Sequence, residues 1–175
     1  MTQEEEFILL VEDTLTQAML YQHSFEKAGI KTKVAKSSKK AFEILEASKP
    51  ILVLSDVNMP DETGYQLCSK IKSSDTTSDI MVVLISSVLN SDEIFEIVEC
   101  GADDFILKSL EPEAITRHLK RSIDQAKNQK SLENGKYEGS VYIDGQTRKM
   151  KLDYNRSTRL IYSLYDLLCT VSKST

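Results

Sequence analysis

Short apolar runs alternate with amphipathic segments along the first three quarters of the chain. The runs are FILLV (7–11), TKVAK (32–36), ILVLS (51–55), IMVVLIS (80–86) and DFILK (104–108). Runs that are mostly apolar are typical of strands buried on both faces of a sheet, and their alternation with helical segments is typical of parallel sheets. The sequence therefore predicts five strand–helix units in an α/β fold, with a parallel sheet covered on both faces.

The amphipathic segments supply the predicted helices. They span 14–28, 38–47, 64–73, 91–99 and 111–127. In the first segment, the residues predicted to share the face toward the sheet are Leu15, Ala18, Met19 and Phe25. Gly29 and Gly101 fall where helices should stop, because glycine adopts the positive φ that often follows the last helical turn.

A second, smaller unit is predicted after residue 130. Polar residues and glycines cluster over 128–140, which predicts a main domain over 1–130, a linker over 131–138 and a connector over 139–175. Asp144-Gly145 favours a tight hairpin turn between SVYI and QTRKMKL. An amphipathic helix with an apolar stripe from Leu160 to Val171 follows. A hairpin plus one helix is too small to be stable by itself, so we expect it to pack on the main domain, on a second copy or on further sequence.

Charge and composition exclude several classes of function. The net charge is −5, with 15 basic and 22 acidic side chains in 1–130 against 7 and 5 in 131–175. An acidic main domain argues against direct nucleic-acid binding, which needs a basic patch. No apolar stretch is long enough to span a bilayer and the N-terminus lacks a basic secretory signal, so a cytoplasmic location without membrane insertion is expected. The three cysteines have no metal-site or redox spacing and are interpreted as reduced structural thiols.

Polar residues stand at the ends of four of the predicted strands. They are Glu12, Asp13, Asp56, Ser86 and Lys108. The carboxyl ends of neighbouring parallel strands meet at one edge of the sheet, so these side chains are expected to converge in one crevice. Each has a structural explanation when taken singly, such as a helix cap for the acidic pair or a solvated lysine. Their occurrence together predicts a reactive site.

The residue types suit the formation of an aspartyl phosphate. Phosphoryl transfer to a carboxylate needs a nucleophilic oxygen, here Asp56, and positive groups for the phosphoryl oxygens. Mg²⁺, or Mn²⁺ in its place, is expected at Glu12, Asp13 and Asp56 with the backbone carbonyl of Asn58, because Mg²⁺ needs few protein oxygens and keeps several waters. Without a cation, clustered acids would raise each other's pKa. Lys108 is expected to pair with Asp56 and then with the phosphoryl group.

With these residues in place, positions 5 to about 127 resemble a receiver domain, the phosphoacceptor module of two-component signalling. The resemblance rests on Glu12-Asp13, on Asp56-Val57-Asn58-Met59-Pro60 with Gly64, on Ser86-Ser87, and on Phe105 three residues before Lys108. It implies a flavodoxin-like sheet of strand order 2-1-3-4-5. It also implies phosphorylation at Asp56 by a histidine kinase or histidine phosphotransfer domain, and a switch in which Ser86 moves toward the phosphoryl group while Phe105 turns inward.

The resemblance also bears on partners and on the extent of the protein. It implies a downstream output domain or protein, and no catalysis beyond the domain's own phosphorylation and dephosphorylation. The hairpin and terminal helix resemble a connector found in some multidomain sensor kinases, so we expect a fragment of a larger regulator, whose parent would be a histidine kinase if the protein is a hybrid. The alternative is a complete single-receiver protein. The leucine-rich stripe suggests a homodimer. Ser109 stands where the family most often has proline, which weakens the expectation of a cis peptide after Lys108.

Two other functions fit the same pattern less well. A haloacid-dehalogenase-like phosphatase would need a second acid two residues after the nucleophile, where this chain has Asn58. A flavodoxin-type FMN binder would need a phosphate loop after the first strand, where Glu12 and Asp13 would repel the ligand. His23 and His118 lie on predicted helices without metal-ligand spacing and are interpreted as structural, so the phosphodonor histidine is expected on another domain or protein.

Overall fold

The computed structural model describes residues 6–87, 90–128, 136–143, 146–153 and Leu160. In chain order the elements are β1 (Ile8–Val11), α1 (Leu15–Lys27), β2 (Thr32–Ala35), α2 (Ser38–Ala47), β3 (Leu52–Asp56), α3 (Gly64–Ser73), β4 (Met81–Ser86), α4 (Ser91–Glu99), β5 (Asp104–Leu107), α5 (Pro112–Asn128), β6 (Lys136–Ile143) and β7 (Gln146–Asp153). The predicted five strand–helix units are confirmed, and each boundary within them lies within one residue of its predicted position.

The five strands form one parallel sheet in the order β2-β1-β3-β4-β5. Side chains alternate between the two faces of each strand, so that Leu9 and Val11 join the core beneath α2, α3 and α4, while Ile8 and Leu10 join the core beneath α1 and α5. Both cores are buried, which explains why the strand sequences are apolar throughout. The predicted doubly wound fold and strand order are confirmed.

The predicted buried face of α1 is wrong for two of its four residues. Ala18, Tyr21 and Phe25 are buried there, whereas Leu15 and Met19 are 55% and 60% exposed. The helical spacing of Leu15 and Met19 predicts an apolar face toward the sheet, but the buried stripe runs through Ala18, Tyr21 and Phe25, and the two aromatic rings stack in the core beneath α1. The two apolar side chains are left on the solvent side.

Gly29 and Gly101 follow the ends of α1 and α4 with φ of 76° and 88°, as predicted. Asn90 and Ser37 begin their helices by accepting a hydrogen bond from the backbone three residues on. His118 on α5 lies 2.8 Å from the carboxylate of Asp104, a buried structural contact, and His23 is exposed. Among the helices that the structure describes, none is long and apolar enough to cross a membrane.

Beyond α5 the two C-terminal strands pair antiparallel, from Lys136 with Asp153 to Ile143 with Gln146, and this confirms the predicted hairpin. The first of these strands begins at Lys136, inside the predicted linker 131–138, because the ladder continues past Gly139 to the pair of Lys136 with Asp153. The Asp144-Gly145 turn lies outside the described residues. So does the stripe that suggests a dimer, apart from Leu160, which is buried in the core on the α2, α3 and α4 side.

Candidate functional site

The predicted site residues lie at the carboxyl edge of the sheet. Asp56 and Ser86 are the last residues of β3 and β4, while Glu12 and Lys108 directly follow β1 and β5. These four strands are neighbours in the sheet, with Val11 beside Ser55 and Asp56 beside Ile85. The parallel topology thus brings together residues that are up to 96 positions apart in sequence.

Asp56 is 3% exposed and both of its carboxylate oxygens accept hydrogen bonds. Its Oδ1 accepts from the backbone N–H of Asn58 at 3.1 Å, and its Oδ2 accepts from the ammonium of Lys108 at 2.5 Å. Hydrogen bonds to the ionised form of a carboxylate favour that form. Asp56 is therefore held in a fixed orientation by two donors that suit an anionic oxygen.

Two further carboxylates lie beside that of Asp56 and form a cluster of three with it. Glu12, Asp13 and Asp56 each offer an oxygen, and these oxygens all lie within 4.8 Å of one another. Glu12 is fully buried and Asp13 is half-buried, so the cluster opens toward solvent on the side of Asp13. Hard oxygen donors at this spacing fit Mg²⁺, which is held by one or two carboxylates and retains water ligands. The Asn58 carbonyl as a further ligand stays a prediction.

Lys108 is the cation of the site. Its ammonium contacts Asp56, Glu12 at 3.2 Å and the side-chain oxygen of Gln17 at 2.9 Å. Burial by itself would lower the pKa of Lys108, but the hydrogen bond and charge of Asp56 and the charge of Glu12 outweigh burial and raise it. Lys108 is thus a permanent positive charge with all three of its donors directed into the site.

The pKa of Glu12 is raised by its buried position in the acid cluster. Burial raises its pKa and the charge of Asp56 raises it further, while the backbone N–H of Thr14 and the charge of Lys108 act in the opposite direction. Its Oε1 accepts the Thr14 N–H at 3.1 Å at the start of α1. Thr14 is the N-cap of α1 and no side chain of the described residues caps the start of that helix, so Glu12 belongs to the acid cluster without capping the helix.

Ser86 and Phe105 are the two predicted switch residues. Ser86 is 3% exposed and its hydroxyl donates to Oε2 of Glu93 on α4 at 3.0 Å. Phe105 is 5% exposed and belongs to the core beneath α3 and α4, so its ring already faces inward in this structure. The peptide bonds of the described residues are all trans, including that between Lys108 and Ser109.

Sequence reasoning missed two side chains that touch this site. Gln17 lies in the first turn of α1, which follows the acidic pair at the end of β1, and its side-chain oxygen accepts from Lys108. Glu93 occupies the third position of α4 after the Asn90 cap, where a glutamate usually reaches back to the cap. Here its side chain reaches Ser86 instead. The place of Gln17 just after the acidic pair could have indicated that it lies near the site, but no local signal predicts the contact of Glu93.

The loop after Asp56 is fixed by its surroundings. Gly64 begins α3 directly against the acceptor peptide: a Cβ at Gly64 would lie 2.3 Å from the carbonyl oxygen of Asp56 and 2.9 Å from Cα of Val57. Asp61 accepts the backbone N–H of Ser38 at 2.8 Å, which ties the loop to the start of α2. The position of Asp56 therefore depends on a close backbone approach that glycine permits.

Comparison with known proteins agrees with this geometry. Residues 8–120 match the family model described as "Response regulator receiver domain". The chain is 30% identical over 115 residues to the two-component response regulator ORR5 of Oryza sativa subsp. japonica, covering 65% of this chain and 86% of that protein. It is 37% identical over 90 residues to histidine kinase P4 of Formosa agariphila, covering 51% of this chain and 7% of that kinase.

A solved structure with a similar fold is the signal receiver domain of a signal transduction histidine kinase from Syntrophus aciditrophicus. The TM-score is 0.66 at 33% sequence identity, and the match covers 74% of this chain and 98% of that domain. The strand order, the acid cluster at the carboxyl edge and the family match over most of the five-stranded domain agree. The chain belongs to the response regulator receiver domain family of two-component systems.

Proposed function

We propose that this protein accepts a phosphoryl group from a phosphohistidine on a kinase or phosphotransfer domain, and that the acceptor is Asp56. One observation carries this proposal. The buried Asp56 carboxylate lies within 4.8 Å of two further carboxylate oxygens and in contact with a lysine ammonium. This combination of a nucleophile, acids for a divalent cation and a fixed positive charge is what phosphoryl transfer to a carboxylate requires.

Glu12, Asp13 and Asp56 are the residues that would hold Mg²⁺. When bound, the cation would supply positive charge to the phosphoryl oxygens. Lys108 provides a further positive charge, and its raised pKa keeps it protonated throughout the physiological range. Glu12 and Gln17 hold the ammonium against Asp56, so no side-chain reorganisation is needed before the donor arrives.

The transfer itself is a substitution at phosphorus. A carboxylate oxygen of Asp56 forms a bond to phosphorus as the bond from phosphorus to the donor imidazole nitrogen breaks, and the imidazole leaves with that electron pair. The ammonium of Lys108, which binds Oδ2 in the resting protein, then donates to a phosphoryl oxygen. The N–H of Asn58 stays beside the acceptor carboxyl group.

The phosphorylated state is proposed to differ at the edge formed by α4, β5 and α5. Ser86 lies at the end of β4, next to β3 and the acceptor, and its hydroxyl is suited to donate to a phosphoryl oxygen. The ring of Phe105 is already buried in this structure, so the proposed change involves Ser86 and its contact with α4 and not an inward turn of that ring. A local change of charge would in this way alter an interaction surface for a downstream domain or protein.

The protein is proposed to act as a signalling module without turnover of external substrates. Asn58 stands where a phosphatase of the haloacid-dehalogenase type would need its second acid. Similarity to a histidine kinase and to the signal receiver domain of another histidine kinase supports a place for this chain within or beside such a kinase.

The test is treatment with acetyl phosphate in the presence of Mg²⁺ or EDTA, with the phosphorylated fraction followed by intact mass. Phosphorylation in Mg²⁺ and its loss in EDTA are expected. A parallel incubation with an aryl phosphate should give no catalytic release of the phenol. Phosphorylation that is independent of the cation, or rapid turnover of the aryl phosphate, would contradict the proposal.

A further inference from the structure

Glu93 holds the switch hydroxyl in the resting protein. The Ser86 hydroxyl donates to Oε2 of Glu93 at 3.0 Å, and this bond joins the end of β4 to the first turn of α4. Ser86 is 3% exposed, so little water is available to replace Glu93 as the acceptor. A hydrogen bond to an ionised acceptor is stronger than one between neutral groups. The contact therefore favours the conformation of Ser86 in which its proton points toward α4.

A serine hydroxyl has one proton to donate. In the phosphorylated state described above, Ser86 donates that proton to a phosphoryl oxygen at Asp56, and it cannot donate it to Glu93 at the same time. The Glu93 carboxylate and the phosphoryl group are thus competing acceptors for one donor. A ligand shifts a conformational equilibrium by its difference in affinity for the two states. The free energy of the Ser86–Glu93 hydrogen bond must therefore be overcome when Ser86 turns to the phosphoryl group, and this weakens the switch toward the phosphorylated conformation.

We propose that Glu93 is a positioning residue that restrains Ser86 in the resting state and sets the free-energy threshold for switching. This inference rests on the proposed phosphorylation of Asp56. The same residue gives the switch a direct connection to α4, because release of Ser86 breaks the hydrogen bond between the switch hydroxyl and the first turn of that helix. The Glu93 backbone N–H stays bound to Asn90 at 3.0 Å, so the helix terminus itself is capped independently of Ser86.

The experiment is a titration of the full 175-residue chain with beryllofluoride in Mg²⁺, followed by ¹⁹F NMR, since this anion occupies the place of a phosphoryl group without a covalent reaction. Glu93→Ala is expected to bind beryllofluoride about five- to tenfold more tightly than wild type, which is the factor that one net hydrogen bond supplies. Glu93→Gln keeps an acceptor oxygen without charge, so about a twofold gain is expected.

Two controls separate the restraint from a general effect of charge. Asp92→Ala removes an exposed acid from the same first turn of α4, so binding close to wild type is expected. In a Ser86→Ala background, Glu93→Ala should no longer change the affinity, because the shared proton is gone. Equal tightening by Asp92→Ala, or an undiminished effect of Glu93→Ala in that background, would overturn the restraint while leaving the proposed function intact. Failure of wild type to bind beryllofluoride in Mg²⁺ would instead refute the proposed function.

Discussion

Replacement of Gly64 by alanine should damage the acceptor loop without touching a reacting group. The added Cβ would lie 2.3 Å from the carbonyl oxygen of Asp56, whereas ordinary contacts begin at 3.4 Å. Both obstructing residues present backbone atoms, so no change of rotamer can relieve the clash. Relief requires that α3 and the acceptor peptide separate by about 1 Å, a distortion of the kind that costs about 1–3 kcal/mol in a packed protein.

The same displacement moves the carboxylate that is proposed to react. A misplacement of about 1 Å at a reacting group can lower a rate by about 100-fold. We therefore expect Gly64→Ala to lower the free energy of unfolding by about 1–3 kcal/mol and to slow phosphorylation by acetyl phosphate by about 10- to 100-fold. Urea denaturation measures the stability, and intact mass against time measures the rate.

Gly29→Ala is the matched control for this prediction. Gly29 has a φ of 76° and nothing within 4 Å of an added Cβ, so alanine there is strained but meets no neighbour. Its expected cost is about 1–2 kcal/mol, with a normal rate of phosphorylation because the site lies at the other end of α1. Wild-type stability and a wild-type rate in Gly64→Ala would refute the argument from close approach. A slow rate in Gly29→Ala would show that loss of stability is enough to explain the effect.

Three further predictions concern the site and its surroundings. The pKa of Glu12 is raised in the folded protein, so ionised Glu12 destabilises the fold at pH values above its ordinary pKa of 4.5. In EDTA at pH 7, Glu12→Gln should therefore unfold at higher urea than wild type, and the difference should fade as the pH falls below 4.5. A variant less stable than wild type at pH 7 would contradict this prediction. Mg²⁺ at about ten times its Kd should stabilise wild type by about 1.4 kcal/mol in thermal unfolding, a gain that Asp13→Asn should reduce and that an unchanged Tm would disprove. Tyr65→Phe removes a buried hydroxyl that lacks a partner among the described residues, so its free energy of unfolding should equal or exceed that of wild type, and a loss of more than about 1 kcal/mol would reveal a hydrogen bond to that oxygen.

The sheet was predictable from sequence because its strands are buried on both faces. Apolar runs such as the one that ends at Val11 must be buried on both faces of a sheet, and the polar residues that follow these runs must then lie at one edge of that sheet. The five polar residues predicted there are at the carboxyl edge. This part of the site follows from topology, which a single sequence encodes in the order of its strands and helices.

Features that depend on the packing of side chains between elements were less predictable. Leu15 and Met19 have helical spacing but are exposed, because Tyr21 and Phe25 fill the interface beneath α1. The contact of Glu93 with Ser86 depends on where the first turn of α4 lies relative to the end of β4, and local sequence does not determine that placement. Periodicity gives the face of a helix approximately, whereas the rotation of the helix is set by its neighbours.

The central claim is that the carboxylate of Asp56 is the phosphoryl acceptor. Its most direct test is the intact mass of wild type, Asp56→Asn and Asp75→Asn after treatment with acetyl phosphate and Mg²⁺, where Asp75 is an exposed loop acid outside the site. The account predicts an increment of one phosphoryl group in wild type and in Asp75→Asn, and no increment in Asp56→Asn. An equal increment in Asp56→Asn would place the phosphoryl group on another residue and contradict the account.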